Sequence, residues 1–241
     1  MDSNTLEKLI QVNYQFYQTF AAHFAETRQR LQPGVVKLLE RIPPQADILD
    51  VGCGNGQLGR NLARRGHRGR YLGLDFSTEL LDVARSGLAE SPNISYAQAD
   101  LTAPDWPAVI TDQDARFDVV LAFAVFHHIP GYQLHRRIME QIRALLKPEG
   151  RLMHSNWQFL NSPRLRKRIQ PWEKVGLTPA DVGPDDYLLD WRRGGRGYRY
   201  VHHFDEEQLT KLAAETGFRV VETFYSDGKG GNLALYQVWE P

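Results

Sequence analysis

The chain has 241 residues, 42% of them hydrophobic, with 29 lysines and arginines balanced by 29 aspartates and glutamates. A chain of that length buries about 70 to 75% of its unfolded surface, so a full hydrophobic core is available. The balanced charge excludes a global field that would draw the protein to nucleic acid or a membrane, which leaves any polyanion site to a local patch.

The single cysteine, Cys53, excludes an intramolecular disulfide and suits a reducing compartment. The start, Met1-Asp2-Ser3-Asn4, lacks the basic and apolar regions of a signal peptide, and the longest apolar run, 119–126, is too short to cross a bilayer. A cytoplasmic protein with no membrane partner is expected.

In chain order, residues 5–31 carry Tyr14, Phe16, Tyr17, Phe20 and Phe24 at helical spacing, which predicts an amphipathic helix or helix pair. A second helix over 35–41 stops at Pro43-Pro44. Residues 48–51 then read as a buried parallel strand that runs into Gly52, Gly54 and Gly56 before a helical pattern over 57–65. Glycines there let the backbone turn sharply and let a ligand approach without a Cβ in the way. Asp50 is informative: a loop that binds pyrophosphate avoids a negative charge, whereas a cationic ligand favours one.

A second strand, 71–74, ends at Asp75, where a carboxylate can accept from both hydroxyls of a ribose. Ser77 is a good N-cap with Leu80 at its third helical position, and Leu81, Ala84 and Leu88 form the stripe of a crossover helix. A third strand, 94–97, leads to Asp100-Leu101. The most apolar strand, 117–123, belongs at the centre of the sheet. Helix 133–146, the Lys147-Pro148-Glu149-Gly150 break and strand 151–155 follow. This alternation predicts a parallel sheet with right-handed crossovers.

The pattern breaks over 156–203, which holds Trp157, Trp172, Trp191, several prolines and the Gly194-Gly195-Arg196-Gly197 turn. A long irregular segment in a compact domain is usually functional, so this one is expected to cap the active site, with short helices such as 163–169. Asp205 then caps a helix over 206–216, and strands 218–225 and 233–239 close the sheet as an antiparallel hairpin. The expected organisation is one domain: N-terminal helices 1–44, core 45–155, cap 156–203, and closing elements 204–241.

The spacing Asp50-x-Gly52-x-Gly54-x-Gly56 resembles the first motif of class I S-adenosylmethionine (SAM) dependent methyltransferases. That resemblance implies a Rossmann-like α/β fold with a mostly parallel seven-stranded sheet, SAM as methyl donor and S-adenosylhomocysteine as product. Ligands of such sheets bind beyond the strand carboxyl ends where strand order reverses. Gly52, Gly54, Gly56, Asp50, Asp75, Phe76, Ser77, Asp100 and Leu101 are therefore expected to hold the donor. Ala122 and Phe123, with the segment through His128, should face the sulfonium and the acceptor.

His127-His128 and His202-His203 raise the question of a metal. Adjacent histidines in extended chain point to opposite sides, and no HxxxH or Cys/His spacing is present, so no metal site is expected. His127 or His202 is instead a candidate for the acceptor site. Arg60, Arg64, Arg65, Arg68 and Arg70 read as a solvated face. In the cap, Arg164, Arg166, Lys167, Arg168, Lys174, Arg192, Arg193, Arg196 and Arg199 mingle with aromatics, a mixture suited to phosphates and stacked bases of RNA loops.

A narrower resemblance covers nearly the whole chain. Tyr17 with His23-Phe24 and Thr27-Arg28, ending near Pro33, is similar to the N-terminal signature of the tRNA wobble-uridine carboxymethyl methyltransferases. Residues 186–191 and Arg199-Tyr200-Val201-His202-His203-Phe204 are similar to their cap signatures, and Gly231-Asn232-Leu233 with Tyr236 matches loosely. Gln32, Asp190 and Val201 depart from the family's tryptophan, proline and tyrosine.

The resemblance implies that Tyr17 and Arg28 lie against the methionine end of SAM, and that Arg199, Tyr200 and His202 hold an acceptor carboxylate. It also implies tRNA as a partner, bound through the cap; some eukaryotic members work with a helper subunit. A small-molecule O- or N-methyltransferase on the same core is the alternative, supported by the balanced charge and the departures. A non-catalytic SAM-binding regulator is a third reading, which the lack of any exposed coiled-coil pattern disfavours.

Overall fold

The computed structural model describes residues 1–27, 30–87, 92–111 and 116–241, without the side chains of 22 and 24–27. Arg28, expected at the donor, and Leu88, expected in the crossover-helix stripe, lie outside the described residues, as do the side chains of Phe24 and Thr27.

Helix α1 (Ser3–Thr27) and helix α2 (Pro33–Leu39) precede β1 (Ile48–Val51). There follow α3 (Gln57–Arg64), β2 (Tyr71–Asp75), α4 (Thr78–Ser86), β3 (Ile94–Gln98), β4 (Phe117–Phe123), α5 (Tyr132–Leu145) and β5 (Leu146–Trp157). The cap contributes α6 (Pro163–Arg166), β6 (Ile169–Gln170), β7 (Asp186–Trp191) and β8 (Gly197–His202). Helix α7 (Glu206–Glu215), β9 (Arg219–Ser226) and β10 (Ala234–Glu240) complete the chain.

The main sheet has seven strands in the order β3-β2-β1-β4-β5-β10-β9, with β10 antiparallel to both neighbours. Strand β4 shows why its sequence is a continuous apolar run. Successive side chains leave a strand on opposite faces, and helices cover both faces. Val119 and Leu121 pack with α2 and α3, while Val120 and Ala122 pack with α5 and α7. Strand order reverses between β1 and β4, which pair in parallel with Asp50 beside Leu121. A crevice is expected there, beyond the carboxyl ends.

Local signals account for several boundaries. The Ser77 hydroxyl accepts from the Leu80 N–H at 3.3 Å and caps α4. Asp205 and Gln208 form a reciprocal capping box on α7. Strand β5, by contrast, begins at Leu146, so the predicted Lys-Pro-Glu-Gly break lies inside the strand, where the β4–β5 register shifts.

The cap departs further from the expected pattern. Residues 156–203 are not simply irregular, because β6, β7 and β8 form a three-stranded antiparallel sheet, and the predicted helix 163–169 is the single turn α6. Strand β7 buries Asp186, Leu188, Leu189 and Trp191, a pattern with no clean alternation, because the adjacent Leu188 and Leu189 are both buried and a charged residue is among the rest. Periodicity alone does not show such a strand.

Candidate active site

A cleft opens at the carboxyl ends of β1, β2 and β4 and is walled on its other side by Ile10, Asn13, Tyr14 and Tyr17 of α1. Its floor is the loop after β1. Gly52 has φ +72°, and a Cβ there would stand 2.5 Å from Val125 Cγ2, so only glycine lets the turn after β4 approach. Gly54 has φ +55°, and a Cβ there would meet no atom within 4 Å, which leaves open space over the loop. Gly56 is the N-cap of α3 and packs against Ala84 and Tyr96, away from the cleft.

Asp75, at the end of β2, lines the cleft and ties its floor together. Its Oδ2 accepts from the Gly54 N–H at 2.8 Å and its Oδ1 from the Ser77 N–H at 3.0 Å. Burial raises its pKa against the pull of the Ser77 and Gly54 amides. Ser77 itself is fully buried at the start of α4. Asp100 lines the next stretch and accepts from the Thr102 N–H and hydroxyl at 2.8 and 2.7 Å, with Leu101 beside it. Phe76 lies between, its ring 5.6 Å from Tyr14 and 5.8 Å from Tyr17.

Asp50 does not line the cleft. It sits behind the loop, 3% exposed, and accepts a 2.5 Å hydrogen bond from the Tyr71 hydroxyl. Burial raises its carboxyl to about 7; the Tyr71 hydrogen bond opposes the rise and nearby Asp75 adds to it.

At the end of β4, Phe123 lines the cleft, whereas Ala122 is buried in the core. Ala124 has φ +60°, costly for a residue with a Cβ, and its N–H is held by the Ser155 carbonyl and hydroxyl at 3.0 and 3.1 Å. The chain then coils through a short 3₁₀ turn, Phe126–His128, so the two histidine rings are neighbours with centroids 4.3 Å apart. They do not point to opposite sides, because the segment is not extended. His128 lines the cleft beside Tyr17, while His127 is 1% exposed and accepts from the Trp157 N–H at 3.3 Å.

The cap residues sit farther back. Arg199, 7% exposed, holds its guanidinium over the rings of Trp157, Phe16 and Trp191 at 4.6, 5.5 and 5.8 Å. Tyr200 is wholly buried and donates to Asp186 at 2.5 Å, and His202 Nδ1 lies 2.7 Å from the same carboxylate oxygen. Burial pushes Asp186 up, but the His202 and Tyr200 hydrogen bonds and the Gly183 amide hold it below the usual carboxylate range. None of Arg199, Tyr200 and His202 lines the cleft, so a direct grip on an acceptor carboxylate is not what this arrangement offers them. The polar atoms of Tyr200 and His202 serve the cap's own core.

Asn13, Tyr14, His128 and Thr102 also line the cleft. His128 closes the segment expected to face the acceptor and Tyr14 is one of the predicted helix's aromatics, but Asn13 and Thr102 are not singled out in the sequence. Asn13 leaves one trace there, as a polar residue in the stripe Leu9, Asn13, Phe16, Tyr17, Phe20. Among the described residues, no three or more His, Cys, Asp or Glu side chains gather as they would around a metal ion. No helix among them is long and apolar enough to cross a membrane.

Residues 22–223 match the family described as a methyltransferase domain. A ubiquinone biosynthesis O-methyltransferase of Coxiella burnetii is 34% identical over 73% of this chain and 64% of its own length. A mouse tRNA (carboxymethyluridine(34)-5-O)-methyltransferase is 28% identical over 73% of this chain, which spans only 25% of that protein. Among solved structures, a methyltransferase of Methanosarcina mazei superposes with a TM-score of 0.66 at 19% identity, covering 87% of this chain and 97% of that one, which shows the shared fold.

Proposed function

The chain belongs to the methyltransferase domain family and is a SAM-dependent methyltransferase, and from that premise we propose that it methylates a carboxylate oxygen, such as that of 5-carboxymethyluridine in a tRNA anticodon loop. The residues of the cleft fit the donor. Gly54 leaves a cradle that a Cβ would fill, and Asp75 is an acid placed where hydroxyls of a ribose need an acceptor. Asp100 and Phe76 offer a polar edge and an aromatic face beside it. When bound, SAM supplies a methyl group already activated on a cationic sulfur.

The chain's own task is then to orient and to exclude water. Holding the acceptor oxygen in line with the methyl carbon contributes about 7 to 11 kcal/mol to a reaction of this kind. With the donor bound, the acceptor oxygen would displace S-adenosylhomocysteine from the methyl carbon, the new carbon–oxygen bond replacing the carbon–sulfur bond. A carboxylate, with a reference pKa near about 4, arrives ionised and needs no base. Charge pairing is what it does need.

Arg199 is the observation that carries the carboxylate reading. It is a buried cation caged by Trp157, Phe16 and Trp191, and Trp157 adjoins His127, the neighbour of cleft-lining His128. Its positive potential behind the turn at the end of β4 favours an anionic acceptor. An Arg199→Ala protein that kept full turnover would contradict that role. The exposed Arg164, Arg166, Lys167, Arg192, Arg193 and Arg196 support RNA as the bearer of the carboxylate.

The proposal is tested by transferring radiolabelled methyl from SAM into total small RNA and, separately, into a metabolite extract, followed by mild alkali. Label in RNA that alkali releases is the expected methyl ester. Label confined to metabolites would favour the second reading, O-methylation of a small molecule, which the Coxiella relative and the wall of Tyr14 and Tyr17 across the cleft support.

A further inference from the structure

We infer that Asn13 is the positioning residue that latches α1 over the cleft, so that its hydrogen bonds must break for the methyl donor to enter or its product to leave. The inference rests on the reading that this cleft holds SAM. Asn13 is 6% exposed and lies on α1 one turn before Tyr17 and next to Tyr14, the two rings that wall the cleft.

Its side-chain Nδ2 donates to the His128 carbonyl at 2.6 Å and to the Tyr200 carbonyl at 3.1 Å, and its Oδ1 accepts from the Tyr200 N–H at 2.8 Å. The amide thus stands where the peptide group of a neighbouring strand would stand, against the edge of β8 that faces away from β7. His128 Nδ1 lies 3.3 Å from the same Tyr200 carbonyl, and the His128 ring meets Tyr17 edge-on at 5.5 Å.

One side chain therefore joins three segments that are distant in sequence: the helix that walls the cleft, the turn after β4, and the cap. Both of its N–H groups and its oxygen are used, which a buried amide requires. Besides an exposed hydrogen bond from Lys8 Nζ to the Gly176 carbonyl at 2.9 Å, which lies off β8, the rest of the described contact between α1 and the cap is mainly aromatic and apolar, with Phe16, Tyr17 and Phe20 packed around Trp191. Such contacts hold the helix down but do not fix its position along β8. The directional bonds of Asn13 do, and because Tyr200 belongs to the cap, helix and cap open together.

The test is hydrogen exchange on the full chain without ligand, paired with release of labelled S-adenosylhomocysteine into an unlabelled chase. In the Asn13→Ala protein, amides of α1 should exchange at least about tenfold faster while those of β1 and β4 are unchanged, and release should accelerate by at least about tenfold. Asn13→Asp has the same size but sets a second oxygen against two carbonyls; it should behave alike and serves if the alanine protein does not fold. Exchange of α1 at the wild-type rate overturns the latch. Faster exchange throughout the sheet also overturns it, since that marks a general loss of stability. Release at the wild-type rate overturns the gating. If the wild type binds no S-adenosylhomocysteine, it is the cofactor reading that fails, and the exchange comparison still decides the latch.

Discussion

At the scale of single residues, the glycines of the loop after β1 separate folding from binding. Gly52→Ala puts a Cβ 2.5 Å from Val125 Cγ2 at φ +72°. It should lower stability by about 2 kcal/mol or more, read as a fall in the urea midpoint. Gly54→Ala faces open space at φ +55° and should cost only about 1 kcal/mol, yet fill the cradle and weaken donor binding at least about tenfold. Equal effects on stability and binding in the two proteins would contradict this division. Asp50 makes a pH prediction. Its carboxyl rises from 3.8 to about 7 on folding, through burial. Below about pH 4 both states hold the proton and the group costs nothing. Between about 4 and 7 the unfolded chain loses its proton while the folded chain keeps it, so stability falls as pH rises, and above 7 the full cost is present. Asn at this position still accepts from Tyr71 but does not titrate. Unfolding free energies at pH 5 and pH 8 should therefore differ by about 2 to 3 kcal/mol more in the wild type than in Asp50→Asn. Parallel pH profiles would contradict the assignment.

At the scale of elements, the cap sheet is held by a buried polar knot. The Tyr200 hydroxyl and His202 meet on Asp186, whose other oxygen accepts from the Gly183 N–H at 2.8 Å. Tyr200→Phe should cost about 1.5 to 3 kcal/mol, the worth of a hydrogen bond to a charged group, while leaving turnover close to that of the wild type. A large loss of turnover with stability intact would return Tyr200 to the acceptor site. The same knot shows what the sequence discloses and what it conceals. The strand ends were legible because glycine spacing, the acids Asp75 and Asp100 and the Ser77 cap are local signals, each read within one turn of the chain. The cap strands were not, since β7 buries Asp186 beside Leu188 and Leu189 and its partner for that charge is sixteen residues on, at His202. Asn13 was concealed for the same reason, with partners 115 and 187 residues away. Asp50 was legible as an acid on a strand end, but its side chain turns behind the loop to Tyr71, a contact that strand register sets and spacing does not reveal.

At the scale of the whole molecule, 29 basic and 29 acidic residues cancel, so any grip on RNA must come from the local arginines of the cap. Binding through several phosphates of single-stranded RNA weakens with a log-log salt slope of about −0.7 per contact. For an RNA acceptor, KM should therefore climb steeply between low and moderate salt while the KM for SAM stays nearly flat; a flat acceptor KM would point to a small molecule. Seven strands, two helical faces and the antiparallel β10 all serve to bring Gly54, Asp75 and the end of β4 to one crevice under α1. This crevice is where the methyl donor is proposed to bind. Calorimetric titration of S-adenosylhomocysteine tests that binding most directly, using the wild type and Asp75→Ala, which removes the carboxylate that orders the Gly54 and Ser77 amides. One site per chain is expected in the wild type, with at least about tenfold weaker binding in the variant. Equal affinity in the two proteins, or no binding to the folded wild type, would contradict it.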